Sequence, residues 1–287
     1  MRFLFKAALY LASLIPARAA FRFSTWIASL GGSTQTAKVT AINLGACFPE
    51  LAEDEIQKLT RKSLAHMVFL FFEFAQLRFW PSEKLLADVS FNAEEVFIAA
   101  KEEHRGVLLL VPHFGNWELL AAYLGIHHSV AALYDPPRVA ALESEIVAAR
   151  EGYGGEMFPI GIAGMRSVLK ELRKGGIVAL LPDQVPPRDA GEYAPFFGQP
   201  ALTMHLPQQL KEKTNCEVVV GSVQRCIGPG GISYQVSFTP IAESPTPEVV
   251  NRVLEDVIKA APEQYQWEYK RFKRPPKLGK DNIYRRQ

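Results

Sequence analysis

Apolar residues in this chain fall into short uninterrupted runs, separated by longer stretches in which they recur every three or four positions. Val107-Leu108-Leu109-Leu110-Val111 and Ile177-Val178-Ala179-Leu180-Leu181 have no polar member, the pattern of strands covered on both faces. Similar runs predict strands over 130–133, 218–223 and 233–238. Helical periodicity predicts helices over 92–103, 116–124, 140–150, 164–174, 206–213 and 248–261, and a long one over 51–79 that Pro81 ends. The first half of the long helix is charged and its second half apolar, apart from Glu73, which suits core or a membrane-facing surface. Strands alternating with helices predict an α/β fold: a single domain over 32–287 with a mostly parallel central sheet flanked by helices.

Residues 1–31 form a separate unit that is predicted to be a membrane-associated helix. Ala7–Ile15 gives nine residues of mostly apolar character before Pro16 and Arg18, against the roughly 20 that a spanning helix needs. Phe21, Phe23, Trp26, Ile27 and Leu30 then continue the apolar pattern. The segment therefore suits the headgroup region, its arginines reaching toward water. Two other readings stay open. Arg2, Lys6 and Ala17-Arg18-Ala19 imitate a secretory signal with a cleavage site, and the segment would also serve as a buried core helix.

Composition narrows the function. A formal charge of +2 over 287 residues gives no reason to expect a nucleic acid partner. Basic residues concentrate in 270–287, where Lys270, Arg271, Lys273, Arg274, Lys277, Lys280, Arg285 and Arg286 face the single acid Asp281. Such a tail suits anionic headgroups or an acidic protein, or is simply a solvated terminus. Cys47, Cys216 and Cys226 show no metal-ligand spacing. A Cys216–Cys226 disulfide is conceivable, and reduced thiols are the simpler expectation.

The candidate chemistry lies where the first buried strand ends. His113 follows Val107–Val111, Gly115 permits a tight turn, and Glu118 enters the next helix. Open α/β sheets place their ligand crevices at such strand ends. Glu118 can fold back so that its carboxylate accepts from one imidazole nitrogen, which raises the basicity of the other. A backbone N–H or helix amino terminus nearby would stabilise an oxyanion. His66, His104, His127, His128 and His205 have no such setting, and His127-His128 reads as a loop. No His-Glu-x-x-His spacing points to a metal, and neither a Gly-x-Ser-x-Gly elbow nor a reactive-cysteine signature accompanies the histidine. The chemistry is therefore direct transfer, with His113 deprotonating a hydroxyl that attacks an activated acyl carbon.

His113-Phe114-Gly115-Asn116-Trp117-Glu118 resembles the H-x4-E variant of the lysophospholipid acyltransferase superfamily, most closely the late acyltransferases of bacterial lipid A synthesis. The likeness extends through Ile42-Asn43-Leu44, Cys47-Phe48-Pro49-Glu50, Leu181-Pro182-Asp183-Gln184, Pro195-Phe196-Phe197-Gly198, Ala201-Leu202-Thr203, and Pro262-Glu263-Gln264-Tyr265-Gln266-Trp267 with Lys270-Arg271-Phe272-Lys273. It implies transfer of a fatty acyl chain from an acyl carrier protein thioester, or acyl-CoA, to a hydroxyl of a lipid A precursor, without a cofactor or metal. It also implies an anchor in the bacterial inner membrane and an active site facing the cytoplasm. His113 carries over as catalytic base and Glu118 as its orienting carboxylate, while Asn116, Arg150, Asp183 and Gln184 fall on the substrate-binding side. Beside these roles, Arg150 would also serve as a helix-end cation and Asp183 as a turn cap. Phe196-Phe197-Gly198 reads as packing, or as one wall of an acyl channel. Many members carry arginine after the tyrosine of the next strand, where this chain has Tyr134-Asp135-Pro136-Pro137-Arg138. The acceptor thus stays open to another lysolipid or lipid-linked sugar. A non-catalytic lipid-binding scaffold is the alternative from another class.

Overall fold

The computed structural model describes residues 2–103, 105–128, 130–134, 140–276 and 282–285. The expectations placed on His104, Asp135, Pro136, Pro137, Arg138, Lys277, Lys280, Asp281 and Arg286 lie outside them. Helices α1 (Arg2–Ser13), α2 (Ala17–Leu30), α3 (Gln35–Cys47), α4 (Glu53–Phe79) and α5 (Ser82–Leu85) come first. Strand β1 (Val89–Asn92) and α6 (Glu95–Glu102) lead to β2 (Val107–Leu110), α7 (Trp117–His128), β3 (Val130–Tyr134), α8 (Ala140–Glu151), β4 (Glu156–Pro159), α9 (Ile162–Arg173) and β5 (Ile177–Leu180). The hairpin β6 (Gly191–Phe196) and β7 (Gln199–Met204) follows, then α10 (Leu206–Thr214), β8 (Glu217–Gly228), β9 (Gly231–Pro240) and α11 (Pro247–Ala260).

The main sheet has the order β1-β9-β8-β2-β5-β3-β4, parallel throughout except for the β8–β9 hairpin. The expected α/β architecture with a mostly parallel sheet is what the chain adopts. β2 and β5 lie at its centre with every residue buried, because each is covered on both faces. On one face Leu109, Ala179 and Val219 meet Leu119, Leu120 and Tyr123 of α7. On the other, Leu108, Val178 and Val218 meet Val168 and Leu172 of α9, Leu210 of α10, and Val250 and Leu254 of α11.

Three local expectations need correction, and one open alternative, the disulfide, is closed. His127 and His128 close α7 instead of forming a loop. The helix expected from residue 92 starts at Glu95, because Val89–Asn92 pairs with β9 as an edge strand. Cys216 and Cys226 sit at opposite ends of β8, roughly 33 Å apart at about 3.3 Å per residue, so they cannot bridge, and all three cysteines are free. Arg271 is not part of a solvated basic tail: it is buried and donates to Leu202 O, Thr203 Oγ1 and Asn251 Oδ1.

α1 and α2 break at Pro16 and pack along the apolar half of α4, where Leu9, Ala12 and Ala20 meet Phe69, Phe72 and Ala75. Their other sides carry Leu11, Leu14, Phe23, Trp26 and Leu30 into the open, with Phe71 of α4 beside them. No described helix is long and apolar enough to cross a membrane. The Glu73 that interrupts the apolar half of α4 points inward. Its oxygens accept from Arg225 Nε at 2.7 Å and Nη2 at 2.5 Å, both side chains being almost wholly buried. Burial and the Arg225 charge push the His66 imidazole beside this pair down to about 3, so it stays neutral.

Removing one partner of such a pair leaves a buried charge unpaired. Glu73→Ala should therefore lose about 3–5 kcal/mol in denaturant titrations, whereas Glu73→Leu combined with Arg225→Met should recover most of that loss.

Candidate active site

The site begins where β2 runs out. After Val111 and Pro112 the backbone turns through His113, Phe114 and Gly115 into α7. Gly115 has φ +58°, and a Cβ there would sit 1.6 Å from the Val223 carbonyl oxygen, so only glycine fits. The closeness is used: Asn116 N donates to Val223 O at 3.1 Å and Gly115 N to Gln264 O at 2.9 Å. Gln266 N donates to His113 O at 3.0 Å, so the segment 264–266 is stitched across the turn. Gln264 also holds β8, accepting from Arg225 N and donating to Arg225 O.

His113 and Asp183 meet because β2 and β5 are parallel neighbours that end together. Asp183 Oδ2 accepts from His113 N at 2.8 Å, and Oδ1 lies 2.7 Å from Nδ1 of the ring. Tyr265, buried beneath, donates its hydroxyl to the same carboxylate. Burial alone would raise the Asp183 carboxyl, yet the His113 ring and N–H outweigh it and hold the group below its ordinary range. Burial and the Asp183 charge together push the Tyr265 hydroxyl far up, so it stays a donor. With Nδ1–H given to Asp183, the neutral ring keeps its lone pair on Nε2, where the Gln184 amide nitrogen lies at 3.2 Å.

Glu118 does not occupy the place expected for it. Its carboxylate accepts from Arg150 Nε at 2.8 Å and Nη2 at 2.5 Å, and from Trp117 Nε1 at 3.2 Å. The carboxylate on the His113 ring nitrogen is that of Asp183. The physical reason is that Glu118 leaves the first turn of α7 toward α8, where a bidentate guanidinium satisfies both oxygens. Burial would raise the Glu118 carboxyl, but Arg150, Trp117 and the field of His113 pull it below its usual value. Arg150 is therefore an ion-pair partner and not a cation on helix carbonyls. Asn116 is also occupied within the fold: its Oδ1 caps α7 by accepting from Leu119 N at 3.2 Å, and the side chain meets the Tyr234 hydroxyl. Asp183 does not cap the turn after it, since Val185 N donates to the Tyr269 hydroxyl.

Beneath Glu118 and Arg150, between the sheet and α7, runs a narrow apolar cleft lined by Val111, Leu120, Ala132, Ala179 and Leu181. The Trp117 ring stands edge-on to His113 with centroids 5.1 Å apart. Across the turn lies Glu268, whose carboxyl is raised by burial. The roles of Gln264, Tyr265 and Glu268 were not read from sequence, although the run 262–267 stood out as a block. Among the described residues no cluster of histidine, cysteine or carboxylate side chains could hold a metal ion. A half-buried imidazole, one carboxylate on its far nitrogen and an apolar cleft beside it can deprotonate a hydroxyl next to a bound aliphatic chain.

A family model described as "Bacterial lipid A biosynthesis acyltransferase" matches residues 1–274. The chain is 27% identical over 249 residues to the lipid A biosynthesis palmitoleoyltransferase of Escherichia coli K12, covering 84% of this chain and 80% of that protein. Against the lauroyltransferase of the same organism it is 26% identical over 250 residues, with the same coverage. Against its myristoyltransferase the identity is 23% over 276 residues, 93% of this chain and 83% of that one.

Two outcomes test this geometry. Gly115→Ala should displace the turn from Val223 and abolish turnover while the far-ultraviolet spectrum keeps its α/β shape. The folded Asp183 carboxyl lies below its unfolded value near 3.8, so its contribution to stability is complete above that pH and is lost as pH falls through the folded value. The melting-temperature gap between wild type and Asp183→Asn should therefore stay constant from neutral pH to about pH 5 and close below pH 3.8.

Proposed function

The chain belongs to the bacterial lipid A biosynthesis acyltransferase family and is an acyltransferase, and from that premise we propose its substrates and mechanism. It moves a fatty acyl chain from an acyl carrier protein thioester to a hydroxyl of a lipid A precursor. The observation that carries the mechanism is the His113–Asp183 contact, which orients the ring and leaves Nε2 as the base. The acceptor hydroxyl takes the position that the Gln184 amide now occupies beside Nε2. His113 removes its proton as the oxygen attacks the thioester carbonyl, and the collapsing intermediate expels the thiolate, which His113 then protonates. Asp183 steadies the imidazolium through Nδ1, and Glu118, kept ionised by Arg150, adds a second negative field. The amino terminus of α7 presents its dipole to the developing oxyanion.

The cleft below Glu118 and Arg150 is apolar enough for an aliphatic chain but has a volume of only about 40 Å³. That is room for a few waters and less than a fatty acyl chain fills, so the cleft widens when it admits one. The exposed apolar sides of α1, α2 and α4 rest in the headgroup region of the inner membrane, with the site facing the cytoplasm.

Purified protein, acyl carrier protein thioester and a lipid A precursor should yield a product heavier by one acyl chain in mass spectrometry. His113→Ala should lower kcat by about 10²–10⁴ without unfolding the protein. Equal transfer by the alanine variant would remove His113 as the base. Absence of the mass shift with active wild-type protein would remove lipid A as acceptor.

A further inference from the structure

One helix face far from the membrane-facing side is built in a way the chemistry above does not use. On α9, Ile162, Arg166, Lys170 and Arg173 follow one another at steps of four, four and three, which places them on a single side of the helix. All four are exposed. Arg166, Lys170 and Arg173 hold no ion pair among the described residues, whereas the neighbouring Lys174 faces Glu171 at 3.6 Å. A helix dipole favours cations in a last turn, which accounts for Lys170 and Arg173 but not for Arg166 in mid-helix. Nor does it account for the isoleucines. Ile160 is 65% and Ile162 78% exposed, more than almost any other large apolar side chain described, and they flank Gly161 where β4 turns into α9. The opposite side of α9 is spent on the core through Val168 and Leu172.

Location decides the kind of partner. α9 covers the face of the sheet opposite to α7, and it is the α7 side that carries the second half of α4 with α1 and α2. A bilayer seated on the exposed apolar residues of α1 and α2 therefore does not reach the outer side of α9. The partner comes from water and is acidic. β2, β3, β4 and β5 run parallel, so the loop carrying Ile160 lies along the same sheet edge as His113. Two apolar anchors nearest the site, continued by a basic stripe leading away from it, fit an acidic helix whose bound thioester must reach that edge.

We propose that Ile160, Ile162, Arg166, Lys170 and Arg173 form the docking surface for the acidic carrier protein that delivers the acyl thioester. This deepens the carrier-dependent reading given above and rests on it. None of the five touches the catalytic turn, so reversing their charge separates docking from chemistry.

The test compares wild type with Arg166→Glu/Lys170→Glu/Arg173→Glu, and separately with Ile160→Ser/Ile162→Ser. Two donors are used, the acyl carrier protein thioester and the same acyl chain on CoA. The expected result is a loss of about tenfold or more in kcat/KM with the carrier donor, shrinking at high salt, and an unchanged value with acyl-CoA. Unacylated carrier should bind wild type and not the charge-reversed protein. Equal rates with the carrier donor, or equal losses with both donors, overturn the assignment. So does loss of binding to anionic phospholipid vesicles with carrier kinetics intact, which gives the face to a membrane. A wild type that transfers from neither donor overturns the proposed function instead, while carrier binding that depends on α9 would still hold for the surface.

Discussion

A buried carboxylate is expensive to keep ionised, and this fold keeps one at the end of β5. Asp183 is 2% exposed, yet it accepts a backbone N–H and a ring N–H from one residue, His113, and a hydroxyl from Tyr265. Those bonds offset its desolvation only while β2 and β5 end in register and the segment 264–266 stays pressed across the turn at His113. Each condition depends on something distant. The register needs both central strands covered on two faces, and the pressed segment needs Gly115 against Val223 and Gln264 on β8. The imidazole is thus aimed by the whole sheet and not by its own loop.

The same logic joins the amino-terminal helices to the site. α1 and α2 pack on α4, α4 grips β8 through Glu73 and Arg225, and Gln264 ties Arg225 to Gly115. Tyr234 bridges Glu73 and Asn116, the residue that caps α7. The apolar half of α4 therefore does two jobs, carrying helices with exposed apolar sides outside and a buried ion pair inside. A glutamate that breaks an apolar run looks like a defect in one dimension. In three it is the only residue of that helix turn that reaches Arg225 with both oxygens.

What sequence reading can see follows from range. Strand ends, helix periods and the turn at Gly115 are local, so the architecture and the placement of His113 were legible. The partner of His113 was not, since its sequence separation of 70 residues leaves no local trace. Glu118 lay close by in sequence, which made it the natural candidate for the ring nitrogen. Helical geometry instead directs it to Arg150, 32 residues away. The edge strand Val89–Asn92 was missed because it is short and half exposed, with too few apolar positions to set a period. Arg271 was assigned to a basic tail because charge density says nothing about burial. Its guanidinium is placed inside by Thr203 and Asn251, which lie 68 and 20 residues earlier.

The charges around the imidazole are balanced unequally. Two carboxylates, Asp183 and Glu118, are held ionised around one imidazole, and one guanidinium, Arg150, neutralises the second of them. Were neither acid paired elsewhere, the full negative field of both would fall on the ring. Binding Arg150 to Glu118 reduces that field. The Gln184 amide nitrogen lies beside Nε2, where it can donate to the lone pair of the tautomer that gives Nδ1–H to Asp183. The ion pair beside the cleft therefore sets the field around the imidazole without touching it.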